Sequence, residues 1–165
     1  MSSMTFKTEY RKLAAIAGLV MVFDQITKAM IMETVPLFHS VSIIPGFFSL
    51  THIHNPGGAF GFLAGGDSGV RNFIFLGISL AALGMIFYFY KHTPRTHPKL
   101  ATAFALIFGG ALGNMIDRVR FGKVVDFLDF YMGSLHWPAF NIADSAISVG
   151  VAIFLFHLVF KKLPE

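Results

Sequence analysis

The 165-residue sequence contains no cysteine, which excludes disulfides, thiolate nucleophiles and cysteine-ligated zinc or iron–sulfur centres. Charge is scarce too: 13% of residues are Asp, Glu, Lys or Arg, against 55% hydrophobic residues and 20 Phe, and mean hydropathy is +0.65. A soluble domain of this length has no use for so much apolar side chain, so the composition points to a protein whose solvent is largely lipid. The formal charge of +4 does not indicate nucleic acid, because the basic residues fall in short clusters at the ends of apolar runs, with no interleaved aromatic stripe. Of only nine acidic residues, four crowd into residues 109–144: Asp117, Asp126, Asp129 and Asp144.

Four apolar runs, 13–32, 72–90, 100–116 and 140–160, are each about long enough to cross a hydrocarbon core, which takes ~20 residues of helix. The first follows Lys7, Arg11 and Lys12 and resembles the leading regions of a signal peptide. It lacks a small-x-small cleavage site and continues through Asp24 and Lys28, so it reads as a retained helix. Asp24 and Lys28, four apart, share a helix face and predict an ion pair, either structural or substrate-contacting. Gly109, Gly110 and Gly113 in the third run permit close helix packing. His157, near the end of the fourth, reads as interfacial. Counting Lys and Arg gives three at the N-terminal end, three in 91–99 and two at the C-terminal end, eight of thirteen on one side. Both termini are therefore expected in the cytoplasm, and the connections 33–71 and 117–139 outside.

The first of these connections carries Pro45-Gly46 between two β-branched and aromatic stretches, 41–44 and 47–54. That pattern predicts a small hairpin with its apolar residues toward the bilayer. His52 and His54 share a strand face and could begin a metal site, but no third ligand stands at a recognisable spacing, and no metal is expected. Asn55-Pro56-Gly57-Gly58 reads as a turn, with a substrate-binding loop as the alternative.

Asp144 lies just inside the fourth run, where an uncompensated charge is costly. Asn141, three residues earlier, predicts a helix N-cap to which Asp144 hydrogen-bonds back; the competing reading is one half of an acid–base pair. Asp126, between Val125 and Phe127, is expected against apolar surface with its proton affinity raised. Asp117 adjoins Arg118, which is expected to hold it ionised, and Asp129 reads as interfacial. Spacing ranks Asp126 first, Asp117 second and Asp129 third.

Five ordered blocks then stand out: D-Q-x-T-K at 24–28, N-x-G-x-A-F at 55–60, G-G-A-L-G-N-x-x-D-R at 109–118, V-V-D-F at 124–127 and F-N-x-A-D-S-A-I at 140–147. Together they resemble the bacterial lipoprotein signal peptidase family, signal peptidase II, over nearly the whole chain. The resemblance implies an α-helical integral membrane protein: one peptidase domain with four transmembrane helices, a small extracytoplasmic β-cradle and a short periplasmic helix. It implies an aspartic endopeptidase of the bacterial inner membrane that removes signal peptides from diacylglyceryl-modified prolipoproteins, cutting before the lipidated cysteine. The implied catalytic pair is Asp126 and Asp144, supported by Asp24, Lys28, Asn55, Gly110, Asn114, Arg118, Asn141 and Ala143. No metal or organic cofactor is implied; the implied partners are prolipoproteins, membrane lipids and globomycin-type inhibitors. One departure is Pro56-Gly57-Gly58, where Thr-Gly-Ala or similar is expected. An ion or proton pathway is a competing class, since intramembrane Asp and Lys also mark those, and a non-catalytic lipid-binding protein is a third. Against the pathway, the second and third runs contain no charged residue to relay ions to the cytoplasm.

Overall fold

The computed structural model describes residues 3–57 and 68–160. Within these, four helices are long and apolar enough to cross a membrane: α1 (Ser3–Thr34), α2 (Ser68–His92), α3 (Pro98–Phe121) and α4 (Ile142–Phe160). Large apolar side chains such as Leu19, Phe23, Phe73, Leu80 and Phe156 stand exposed around the bundle, an outside-in arrangement that suits a hydrocarbon solvent. α3 is the hub, packed against each of the other three helices. Its glycines explain how. A Cβ on Gly110 would strike the Ala143 carbonyl of α4, and one on Gly113 would lie 2.6 Å from Asp24 Oδ2 of α1. Only hydrogen leaves room there for the α4 backbone and the Asp24 side chain.

Several boundaries differ from expectation: α1 begins at Ser3 rather than 13, and α2 at Ser68 rather than 72. α3 runs to Phe121 rather than 116, so Asp117, Arg118 and Arg120 are helical and not part of an outer loop. A hydropathy boundary stops at the first charge, but Asp117 finds its counter-ion in the bundle and the helix continues to Gly122, whose φ of +69° closes it with an N–H donated to the Arg118 carbonyl. α4 starts at Ile142 rather than 140.

Over one end of the bundle lies an antiparallel four-stranded sheet in the order β1 (Ser40–Ile44), β2 (Phe48–Asn55), β3 (Val124–Met132), β4 (Leu135–His136). The β1–β2 hairpin turns at Gly46, φ +79°, and leaves Val41, Ile43 and Phe47 exposed. β3 and β4 come from residues read only as a polar connection, because the acidic residues in VVDFLDFYM hide a strand with apolar neighbours on both faces. Described residues of the two long connections contain no separate short helix; residues 58–67 lie outside the described part. β3 also ties itself to the approach to α4. Phe127 and Leu128 donate their N–H groups to the Phe140 carbonyl at 2.9 and 2.8 Å, and Phe140 N–H donates to Leu128 O at 3.1 Å. That short bridge brings residues 126 and 144 together although eighteen positions separate them.

Candidate active site

Asp126 projects from β3 and is only 3% exposed. Both its oxygens accept side-chain amides: Oδ1 from Asn141 Nδ2 at 2.7 Å, Oδ2 from Asn55 Nδ2 at 3.0 Å. The Asn55 amide is oriented by its own turn, in which Oδ1 accepts the Gly57 N–H at 3.0 Å. The expected turn is therefore present at Asn55, whose side chain also reaches Asp126, while residues 58–60 of that motif lie outside the described part. Burial, and after it the nearby Asp144 charge, raise the Asp126 carboxyl to about 7 against the opposing Asn55 and Asn141 hydrogen bonds.

Asp144 occupies the first turn of α4. The capping box is present: Asp144 N–H donates to Asn141 Oδ1 at 2.9 Å, and Asn141 N–H donates to Asp144 Oδ2 at 3.3 Å. Yet Asp144 Oδ1 is held by another helix, accepting Asn114 Nδ2 of α3 at 2.8 Å. Cap and acid–base candidate are thus the same residue. Asn141 and Asn114 also meet each other, Nδ2 to Oδ1 at 3.2 Å, so the two carboxylates hang from a linked pair of asparagines.

Beneath this pair lies a buried ionic cluster. Lys28, 1% exposed, reaches Asp24 Oδ2 and Asp117 Oδ2, each at 2.8 Å, and donates to Asn114 Oδ1 at 3.0 Å, so three acceptors match its three protons. Because an ammonium only donates, that contact fixes Asn114 with its oxygen toward Lys28 and its NH₂ toward Asp144. Asp24 Oδ1 accepts the Ala143 N–H at 2.9 Å, one of the free amides that open α4. Asp117 Oδ2 accepts the N–H of Val125, the residue before Asp126, at 3.1 Å. The expected Asp24–Lys28 pair is therefore present. Asp117 is held by Lys28, whereas its sequence neighbour Arg118 turns away, donating to the Asn114 carbonyl at 3.2 Å and lying 5.4 Å from the Phe75 ring centre. A helical neighbour points about 100° away, so adjacency in sequence is a poor guide to pairing.

A cleft of about 590 Å³ opens onto both carboxylates. Asn55, Asn114 and Arg118 form its polar side; Trp137, Phe140 and Ile147 belong to an apolar side that the sequence reading did not single out. Gln25 was also passed over. Its Nε2 donates to Asp117 Oδ1 at 2.9 Å and lies 3.2 Å from Asp24 Oδ2, a role signalled only by its place beside Asp24 in the first motif. Asp129 stands apart from the cleft, paired with His136 Nδ1 at 2.9 Å. His157 is buried in α4 away from the cleft, its Nδ1–H donating to the Ile153 carbonyl at 3.0 Å. His52 donates Nδ1–H to Val35 O at 2.8 Å, with its Nε2 3.3 Å from that of His54. Among the described residues, no group of three or more His, Cys, Asp or Glu could hold a metal ion.

The family model for signal peptidase (SPase) II matches residues 16–160. The chain is 51% identical over 154 residues to the lipoprotein signal peptidase of Desulforapulum autotrophicum, covering 93% of this chain and 95% of that one. It is 46% identical over 153 residues to the protein of the same name from Geobacter sulfurreducens, covering 93% and 94%. Its fold is similar to that of a bacterial membrane enzyme solved by the in meso method at 2.3 Å resolution: TM-score 0.80, 37% identity, 89% of this chain and 87% of that one. A second such enzyme, solved at 1.9 Å, gives a TM-score of 0.78 at 36% identity, covering 90% and 92%.

Proposed function

We propose, from the premise that the chain belongs to the signal peptidase II family, that it is an aspartic endopeptidase that removes signal peptides from diacylglyceryl prolipoproteins. The observation that carries the aspartic assignment is the pair Asp126 and Asp144: a buried and a half-buried carboxylate from different elements, suspended from Asn141 and Asn114 in one cleft. Like charges so close do not both ionise readily, so at neutral pH the pair holds one proton. The ionised carboxylate takes a proton from water as its oxygen attacks the scissile carbonyl. The protonated one hydrogen-bonds the developing oxyanion, then passes its proton to the leaving nitrogen. Asn55, Asn114 and Asn141 aim the carboxylates, Lys28 fixes Asn114, and Asp24 anchors the start of α4 through Ala143. Gly110 lets α3 and α4 close on that point, and Arg118 lines the cleft wall. Globomycin-type peptides would occupy the same cleft. The test is cleavage of a diacylglyceryl prolipoprotein by the purified protein in detergent, read by gel shift; an intact precursor would refute the reading. Proton flux in liposomes without cleavage would favour a proton pathway.

Two expectations follow from the chemistry of the pair and its position. Loss of the shared proton disables the acid, so kcat/KM falls as pH rises past about 7, the value to which Asp126 is raised. A flat profile from pH 6 to 9 would contradict it. The lipid is also required, because a diacyl anchor delivers the scissile bond to the cleft as an effectively intramolecular event. Equal cleavage rates for the unlipidated precursor would remove that requirement.

The collected basic residues support cytoplasmic termini in the bacterial inner membrane, with the cleft toward the outer leaflet. A reporter fused at residue 95 should be active only on the cytoplasmic side; periplasmic activity would reverse the orientation.

A further inference from the structure

At the end of the bundle away from Asp126 and Asp144, α1 and α2 both lean on α3 but leave a groove of about 390 Å³ between them. It is lined by Tyr10, Ala14, Gly18 and Met21 of α1, Phe87 of α2 and Phe108 of α3. A Cβ on Gly18 would meet nothing within 4 Å, so this glycine is not spent on helix contact within the chain. Eleven residues separate Tyr10 from Met21, about 16 Å at ~1.5 Å per residue, which is one leaflet's share of a ~30 Å hydrocarbon core. Apolar along its lining and about 16 Å long, the groove matches an acyl chain lying within one leaflet.

The mouth adds charge. The Tyr10 and Phe87 rings stack there with centroids 5.9 Å apart. Arg11 precedes Ala14 by three and Gly18 by seven, on the α1 face that lines the groove, and Lys91 follows Phe87 by four on α2; both are exposed. Lys12 is engaged elsewhere, its Nζ donating to the Pro98 carbonyl at 2.7 Å. Two cations flank a single-leaflet apolar slot, which is the charge complement of a phosphate on an acyl chain.

We propose that this groove binds an anionic phospholipid of the leaflet at the basic end, one acyl chain lying between α1 and α2 and the phosphate between Arg11 and Lys91. The site is distinct from the cleft and does not depend on what the cleft does. The probe is dioleoyl phosphatidylglycerol against dioleoyl phosphatidylcholine, added to the delipidated full chain in detergent and read by native mass spectrometry and thermal shift. The parent should retain phosphatidylglycerol preferentially and melt higher with it. Gly18→Leu fills the slot and should lose both effects while still cleaving prolipoprotein, which shows that it folds. Arg11→Gln and Lys91→Gln should each reduce the preference by roughly fivefold, the share one Lys or Arg contributes at an anionic headgroup. Equal retention of the two lipids by the parent, or an unchanged preference in Gly18→Leu, would overturn the proposal. So would efficient disulfide pairing of two chains through Gly18→Cys, the sole thiol in an otherwise cysteine-free sequence, since a second copy would then fill the groove.

Discussion

Replacing Asp126 or Asp144 by asparagine is expected to lower prolipoprotein cleavage by on the order of 10³-fold or more, and replacing both should be little worse than replacing either. The two carboxyls divide one task between them, base and acid, so the first loss already stops the cycle and the second removes nothing further. The amide keeps the shape of the acid, and both residues have neighbouring asparagine groups with which a new amide can pair, so binding of substrate or inhibitor should survive. Asp117→Asn is the informative control. Asp117 faces Lys28, Gln25 and the Val125 N–H rather than the cleft, so its loss should slow turnover by at most about tenfold, ~1.4 kcal/mol of transition-state stabilisation. The measurement is single-turnover cleavage by the three variants. An inactive Asp117→Asn beside a near-parental Asp126→Asn would move the pair to Asp117 and Asp144.

The helices, the Asn141–Asp144 cap and the burial of Asp126 were legible because each rests on a short-range signal: an apolar run, an Asn three residues before an Asp, an Asp between Val and Phe. The Asp24–Lys28 pair was legible for the same reason, being one helical turn. The partner of Asp117 was not. Lys28 lies 89 residues away and reaches Asp117 where Gly109 and Gly113 let α1 close on α3. β3 was hidden because its register is set by β2 and by the Phe140 bridge, long-range pairings that leave no periodic trace in a nine-residue segment with two acids. The apolar wall of the cleft stayed out of view for a related reason. Trp137 and Phe140 sit in the connection between β4 and α4 and Ile147 on α4, and they look like generic apolar residues until that connection is folded beside the helix.

The largest effect on folding should come from Lys28. It is the only cation in contact with Asp24 and Asp117 among the described side-chain ion pairs, and all three residues are at most 1% exposed. Lys28→Met keeps the length of the side chain and removes the charge, leaving two buried carboxylates that share no counter-ion. Breaking a buried pair in this way costs about 3–5 kcal/mol, more than the Coulomb energy of any exposed pair here, because the abandoned charge stays desolvated. The loss should spread to the cleft. Asn114 loses the ammonium that fixes its amide, so its NH₂ is no longer committed to Asp144, and cleavage should fall together with the melting temperature. Adding Asp117→Asn to Lys28→Met should recover part of the stability, since it removes one of the two stranded charges while Gln25 can turn its amide to meet the new side chain. Thermal melts of the single and double variants in detergent decide it. If Lys28→Met melts like the parent, or if the double variant melts no higher than Lys28→Met alone, the cluster is not held by charge, and the glycine-mediated packing of α3 against α1 and α4 carries the structure without it.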